Sequence, residues 1–199
     1  METEKEYGNK KLYYIIMLGM ELGLVFIGWS IHVFSYKGFV IDFINKEPVW
    51  LQLAAGSGAG MILGVFTAYF TIKADYFREM KQILSGLISY YRMNYWDVFI
   101  LALVSGICEE ILFRGVVQSF LGIWFTSFIF IFIHGYFNPK SRNMMFFGML
   151  MFLVSALIGY FYEYLGMAAA MSFHFVFDLV ILLGFMMFVI GKGEKNAKA

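Results

Sequence analysis

The chain has 199 residues, of which 61% are hydrophobic and 15% charged, with a mean hydropathy of +0.72 and a formal net charge of +1. A water-soluble domain is about one-half apolar and about one-quarter charged, so composition excludes a soluble globular protein and places the chain in a lipid bilayer. No basic block with interleaved aromatics occurs, so nucleic acid is not an expected partner, and one cysteine, Cys108, excludes an intrachain disulfide and a Cys-based metal cluster.

Residues 1–11 are polar with mixed charge. The apolar run at 12–34 lacks a small-x-small exit site and reads as a retained span rather than a cleaved leader. It carries Glu21, deep enough to face the bundle interior, and His32 near its end. A polar loop is expected at 35–48 and a second span at 49–72. Within that span Gly56-Ser57-Gly58-Ala59-Gly60, followed by Gly64, places small residues where helices approach closely. No Lys-Ser/Thr follows, so this is packing and not a phosphate loop.

Residues 73–95 change character. Apolar positions 76, 77, 80, 83, 84, 87 and 88 recur at helical spacing among charged residues, as in an amphipathic helix lying in the interface. A third span is expected at 96–121, with Gly115 and Gly122 as places for a bend or break. A short fourth follows at 123–137 with His134 near its end, then a fifth at 144–164 and a sixth at 167–190. The fold class is therefore all-α: a polytopic transmembrane bundle of six spans plus an interfacial amphipathic helix, with residues 1–199 as a single membrane domain. Six crossings put Lys5, Lys10, Lys11, Lys73, Arg78, Lys81, Arg92, Lys140, Arg142, Lys192, Lys195 and Lys198 on the side of the termini, against Lys37 and Lys46 on the other. That asymmetry predicts a multi-pass cell-membrane protein with both termini cytoplasmic.

Arg114 stands outside this count, inside a span with Glu109 and Glu110. Each such charge costs on the order of 2.5–3.5 kcal/mol near a bilayer centre, so the three require a protein-lined, polar cavity. Glu110 and Arg114 are i and i+4 with the acid first, the favoured order for an ion pair. Glu109 points about 100° away on a 3.6-residue helix and lacks that partner. A desolvated carboxylate beside another suits general acid–base work. His174 and Asp178 are also i and i+4, and His134 comes from another span at similar depth. A Glu and a His can together activate water for hydrolysis, with a second His and its neighbour on the oxyanion side. The same Glu109, His134 and His174 can instead be read as metal ligands, Zn above all, with an open position for water. A polar network that only fastens helices together is the third reading.

The succession Glu109-Glu110-x-x-x-Arg114, Phe130-x-x-x-His134 and His174-x-x-x-Asp178 resembles the CAAX protease and bacteriocin-processing (CPBP, or Abi) family, over about 97–184. The resemblance implies an intramembrane endopeptidase acting on a peptide or protein substrate. It implies Glu109 and His134 activating water, Glu110 and Arg114 as a supporting pair, and His174 with Asp178 at the oxyanion side. Prenyl-protein proteases of the family usually carry Asn where this chain has Asp178. Bacterial-type members often carry Asp, which implies a prokaryotic protein. Both metal-dependent and glutamate-dependent mechanisms are attributed to the family. With no His-Glu-x-x-His here, the glutamate mechanism without a cofactor is expected. The family also includes non-enzymatic bacteriocin-immunity and regulatory proteins that bind a peptide or partner protein.

Overall fold

The computed structural model describes residues 7–35 and 47–197. Most of the loop expected at 35–48, with Lys5, Lys37, Lys46 and Lys198, lies outside the described residues, as do the side chains of His32, Lys192 and Lys195. The described residues contain helices and no strand: α1 (Lys10–Ser35), α2 (Val49–Lys73), α3 (Arg78–Tyr90), α4 (Tyr95–Leu112), α5 (Gln118–Ile133), α6 (Arg142–Tyr164) and α7 (Met167–Ala197). A 3₁₀ turn, Asp75–Phe77, leads into α3, and a π-helical turn, Phe113–Val117, joins α4 to α5.

Among the described residues, five segments are long and apolar enough to cross a membrane, and one of them, Tyr95–Ile133, has 39 residues. That length is accounted for by a reversal at Gly122, whose φ of 71° and ψ of 174° suit glycine and break the helix. The rings of Phe113 and Phe130 meet at 4.8 Å, and Arg114 reaches Ser127 at 3.5 Å. A straight helix would separate the first pair by ~25 Å. The segment is a hairpin, so the bundle has six legs. Residues 123–133 cover only ~16 Å, about half of a ~30 Å hydrocarbon core. The fourth leg is thus shorter than the expected 123–137: its helix stops at Ile133, just before His134, well inside the bundle.

Capping fixes where the hairpin begins. Asn94 Oδ1 accepts from the backbone N–H groups of Trp96 and Asp97, at 2.9 and 3.1 Å, while Asp97 Oδ2 accepts from the Asn94 N–H at 2.6 Å. This reciprocal box supplies partners for donors that the first helical turn leaves open. Asp97 also pairs with Lys10 and accepts from the Tyr14 hydroxyl, which fastens α1 to α4 in parallel. Further along, Gly28 of α1 faces Leu112 and Val116. Lys10 Nζ donates to Arg92 O, Tyr76 OH donates to Arg142 O and Lys81 lies over Phe188. These contacts gather α3 with the starts of α1, α4 and α6 at one end of the bundle. The stripe expected at 73–95 is divided: Phe77, Met80 and Ile88 are buried, whereas Tyr76 and Ile83 face outward.

The small-residue stripe of α2 meets α7. A Cβ on Gly56 would fall 2.2 Å from Ala169 O, and one on Gly60 2.4 Å from Phe173 O. Gly64 continues the row against Val180 and Phe177. Backbone-to-backbone approach of this kind is how membrane helices pack when lipid removes the hydrophobic drive between them. It seats α7 against α2 at the level where α7 carries His174.

This packing predicts a graded response. Gly60→Ala should lower stability by about 1–3 kcal/mol, the usual cost of overpacking, because its methyl meets α7 backbone. Gly58→Ala, which meets open space, should leave the unfolding midpoint in detergent unchanged. Equal midpoints for the two variants would contradict the α2–α7 seam.

Candidate active site

The site is built downward from one buried carboxylate. Glu110 and Arg114 are both fully buried, and Arg114 Nε donates to Glu110 Oε2 at 2.9 Å. Three further guanidinium bonds are made. Nη2 donates to Ser155 Oγ at 2.8 Å, and Nη1 donates to Gln118 Oε1 at 3.4 Å and Ser127 Oγ at 3.5 Å. The π-helical turn carries Arg114, which touches α5 and α6 at once; such turns are rare and recur at functional sites. Of these partners Gln118 was legible, standing four residues after Arg114 as Arg114 stands after Glu110. Ser127 and Ser155 carry no sequence signal, because their contact depends on the Gly122 reversal and on how α6 packs.

The expected pair Glu110–Arg114 is present, and Glu110 has a second partner. Its Oε1 lies 2.8 Å from His174 Nδ1. A carboxylate engaged by arginine on one oxygen accepts on the other, so His174 Nδ1 carries the proton of this bond and Nε2 is turned into the cavity. His134 is set in the same way. Its Nδ1 lies 2.7 Å from Phe130 O, a carbonyl that can only accept, so Nε2 again points inward. Phe130 packs against both imidazoles, at ring-centroid distances of 4.4 Å to His134 and 5.8 Å to His174.

Both Nε2 atoms face Glu109. Oε1 is 3.6 Å from His134 Nε2 and Oε2 is 3.7 Å from His174 Nε2. These separations exceed a direct hydrogen bond and suit an inserted water or substrate atom. Glu109 Oε2 is buried with no hydrogen-bond partner among the described residues. Asp178 Oδ2 lies 3.4 Å from His174 Nε2 and accepts from Ser105 Oγ at 3.4 Å. The structure therefore brings Glu109, His134, His174 and Asp178 to one cavity of about 100 Å³ and sets Glu110 and Arg114 behind it. Exposure divides them by depth: the side chains of His134 and Asp178 are 29% and 32% exposed, against none for Glu110 and Arg114. The first two flank the mouth, and Glu109 and His174 lie deeper. Tyr136 lines the same cavity, its ring stacked on His134 at 5.8 Å.

Among the described residues, no group of three or more His, Cys, Asp or Glu side chains is placed to hold a metal ion. No step below runs through a metal.

Residues 91–180 match the family model described as type II CAAX prenyl endopeptidase Rce1-like. This segment is similar to the Rce1-like family. It contains every site residue named so far, from Ser105 to Asp178. The chain is also 36% identical over 84 residues to a Bacillus subtilis (strain 168) protein described as uncharacterized protein YpbD, covering 42% of each chain. It thus spans under half the length of the curated relative it matches. No solved structure matches. Helix α1, with Glu21, lies outside the Rce1-like segment.

The division between a buried anchor and an accessible carboxylate can be measured. Glu110→Ala should cost about 3–5 kcal/mol of stability by stranding the Arg114 charge, whereas Glu109→Ala should change stability by no more than about 1 kcal/mol because it releases an unpaired group. Detergent unfolding of the two variants reads the difference, and equal losses would contradict it.

Proposed function

We propose that this chain is an intramembrane, glutamate-dependent endopeptidase that hydrolyses a peptide bond of a membrane-associated or peptide substrate. It works without a cofactor, as a single multi-pass domain of a prokaryotic cytoplasmic membrane with both termini cytoplasmic. The observation that carries the reading is a carboxylate, Glu109, flanked by two imidazoles whose Nε2 atoms are fixed toward it. The Rce1-like match over the segment that holds them supports the same class.

In this reading a water sits between Glu109 Oε1 and His134 Nε2 and donates to both, since a carboxylate and an imidazole protonated on Nδ1 each accept there. Glu109 takes one proton as the water oxygen bonds to the scissile carbonyl carbon. Negative charge then develops on the carbonyl oxygen. His174 in its imidazolium form donates through both nitrogens, Nδ1 to Glu110 and Nε2 toward that oxygen. Asp178 serves His174 rather than the oxyanion: an ionised carboxylate accepts and has no proton to give. Collapse of the tetrahedral intermediate breaks the C–N bond, and the proton held by Glu109 passes to the departing amine. The buried Glu110–Arg114 pair takes no part in bond making; it holds the His174 ring in place.

Purified protein incubated with membrane-reconstituted peptides should show cleavage by mass spectrometry. Glu109→Ala should lose at least about 10²-fold, the low end for a general base, while retaining the wild-type unfolding midpoint. Metal chelators should leave the wild-type rate unchanged. Equal rates in wild type and Glu109→Ala would overturn the reading, and loss of activity with chelator, restored by Zn, would replace the mechanism with a metal-dependent one.

A further inference from the structure

Helix α1 carries one more buried carboxylate, Glu21, and α1 packs on α4, the helix of Glu109. Glu21 is 7% exposed, and its Oε2 is buried with no hydrogen-bond partner among the described residues. The parallel seam between α1 and α4 sets its level. Lys10 and Tyr14 meet Asp97 at one end, and Gly28 meets Leu112 and Val116 further along. Interpolation at equal rise along both helices puts Glu21 level with residues 104–109 of α4. The electrostatic neighbours of Glu21 agree: Glu109 acts on it most strongly, followed by His174, His134 and Asp178. Cys108, whose side chain is small, is half-buried next to them.

The charges around the cavity do not balance. Arg114, the buried cation, is held by Glu110. Glu21, Glu109 and Asp178 have no Lys or Arg partner among the described residues; His134 faces Glu109, and His174 is shared among Glu109, Glu110 and Asp178, which leaves no imidazole for Glu21. A buried carboxylate without a cation is costly, and Glu21, buried and with an unpartnered oxygen, is complementary to a cation brought by a ligand. Helix α1 packs chiefly on α4 and the π-helical turn, so Glu21 approaches from the α4 side.

We infer that Glu21 is a specificity-determining carboxylate that receives the cationic side chain of a Lys or Arg next to the scissile bond of the substrate. The inference rests on the peptidase reading, in which Glu109 acts on the adjacent carbonyl. It assigns a recognition role to a helix outside the Rce1-like segment, and Glu21 itself makes and breaks no bond.

The test uses the full chain in detergent micelles and peptide pairs that differ by Lys against norleucine at single positions flanking the cleavage point. Wild type should cleave one Lys peptide about tenfold better in kcat/KM, the scale of one charge-assisted contact, with the difference in KM. Glu21→Gln should erase that preference and leave the norleucine peptide within about twofold of wild type, and Glu21→Asp should keep part of the preference. A Glu21→Gln protein that still prefers Lys overturns the proposal, as does one equally impaired on both peptides. If wild type cleaves no peptide, the peptidase reading fails, and the fluorescence anisotropy of the same labelled peptides decides the inference. Tighter binding of the Lys peptide to wild type, lost in Glu21→Gln, supports it; equal binding of both peptides overturns it.

Discussion

Everything at the site hangs on the carboxylate of Glu110. It is fully buried, bonded to Arg114 through one oxygen and to His174 through the other. Moving either charge of such a pair out of water costs several kcal/mol, and attraction between them offsets that only when the remaining donors are also satisfied. Here Gln118, Ser127 and Ser155 each accept from the guanidinium. The pair is therefore affordable where it stands, and its use is positional. It joins α4 to α7 through His174 and to α5 and α6 through Arg114, so one ionic centre ties together the four elements that form the cavity.

Two backbone features make that centre reachable. The reversal at Gly122 returns α5 toward the level of Glu109 and ends it early, so that His134 is delivered into the bundle rather than to its far face. The glycine row of α2 lets α7 settle against it at backbone distance, which places His174 and Asp178 on the opposite side of α7, toward α4. Packing is thereby separated in space from the accessible groups: the glycine seam and the Glu110–Arg114 centre hold the helices, while Glu109 is left with an unpartnered oxygen beside His174 and its other oxygen beside His134.

Much of this was legible before any coordinates. The Glu110–Arg114 pair follows from i, i+4 spacing, and Glu109 as the free carboxylate follows from the 100° step between neighbours. His174 and Asp178 share a face by the same rule. The three motifs also carry the family resemblance that the match over 91–180 bears out. The α2 glycines read as packing, although their partner could not be named. What could not be read were contacts between helices. The bond from His174 to Glu110 links residues 64 apart, and Ser155 reaches Arg114 across 41 positions. Neither spacing nor hydropathy encodes such registers. The nearness of Glu21 to Glu109 was hidden for the same reason, since it depends on how Lys10 and Tyr14 clip α1 to Asp97. The short fourth leg was visible as an undersized apolar run, but its function, to end a helix at mid-depth, appears only once the hairpin is folded.

The central claim is that Glu110 fixes the ring of His174, so that Nε2 and not Nδ1 serves the cavity. Nitrogen-15 NMR of the histidine side chains in detergent-solubilised protein tests this most directly. The account predicts that His174 Nδ1 is protonated and hydrogen-bonded in the wild type. In Glu110→Gln the amide oxygen must face Arg114, so its NH₂ turns to Nδ1 and forces the proton onto Nε2 alone. A His174 whose Nδ1 carries no proton in the wild type, or whose signals are the same in Glu110→Gln, would contradict it.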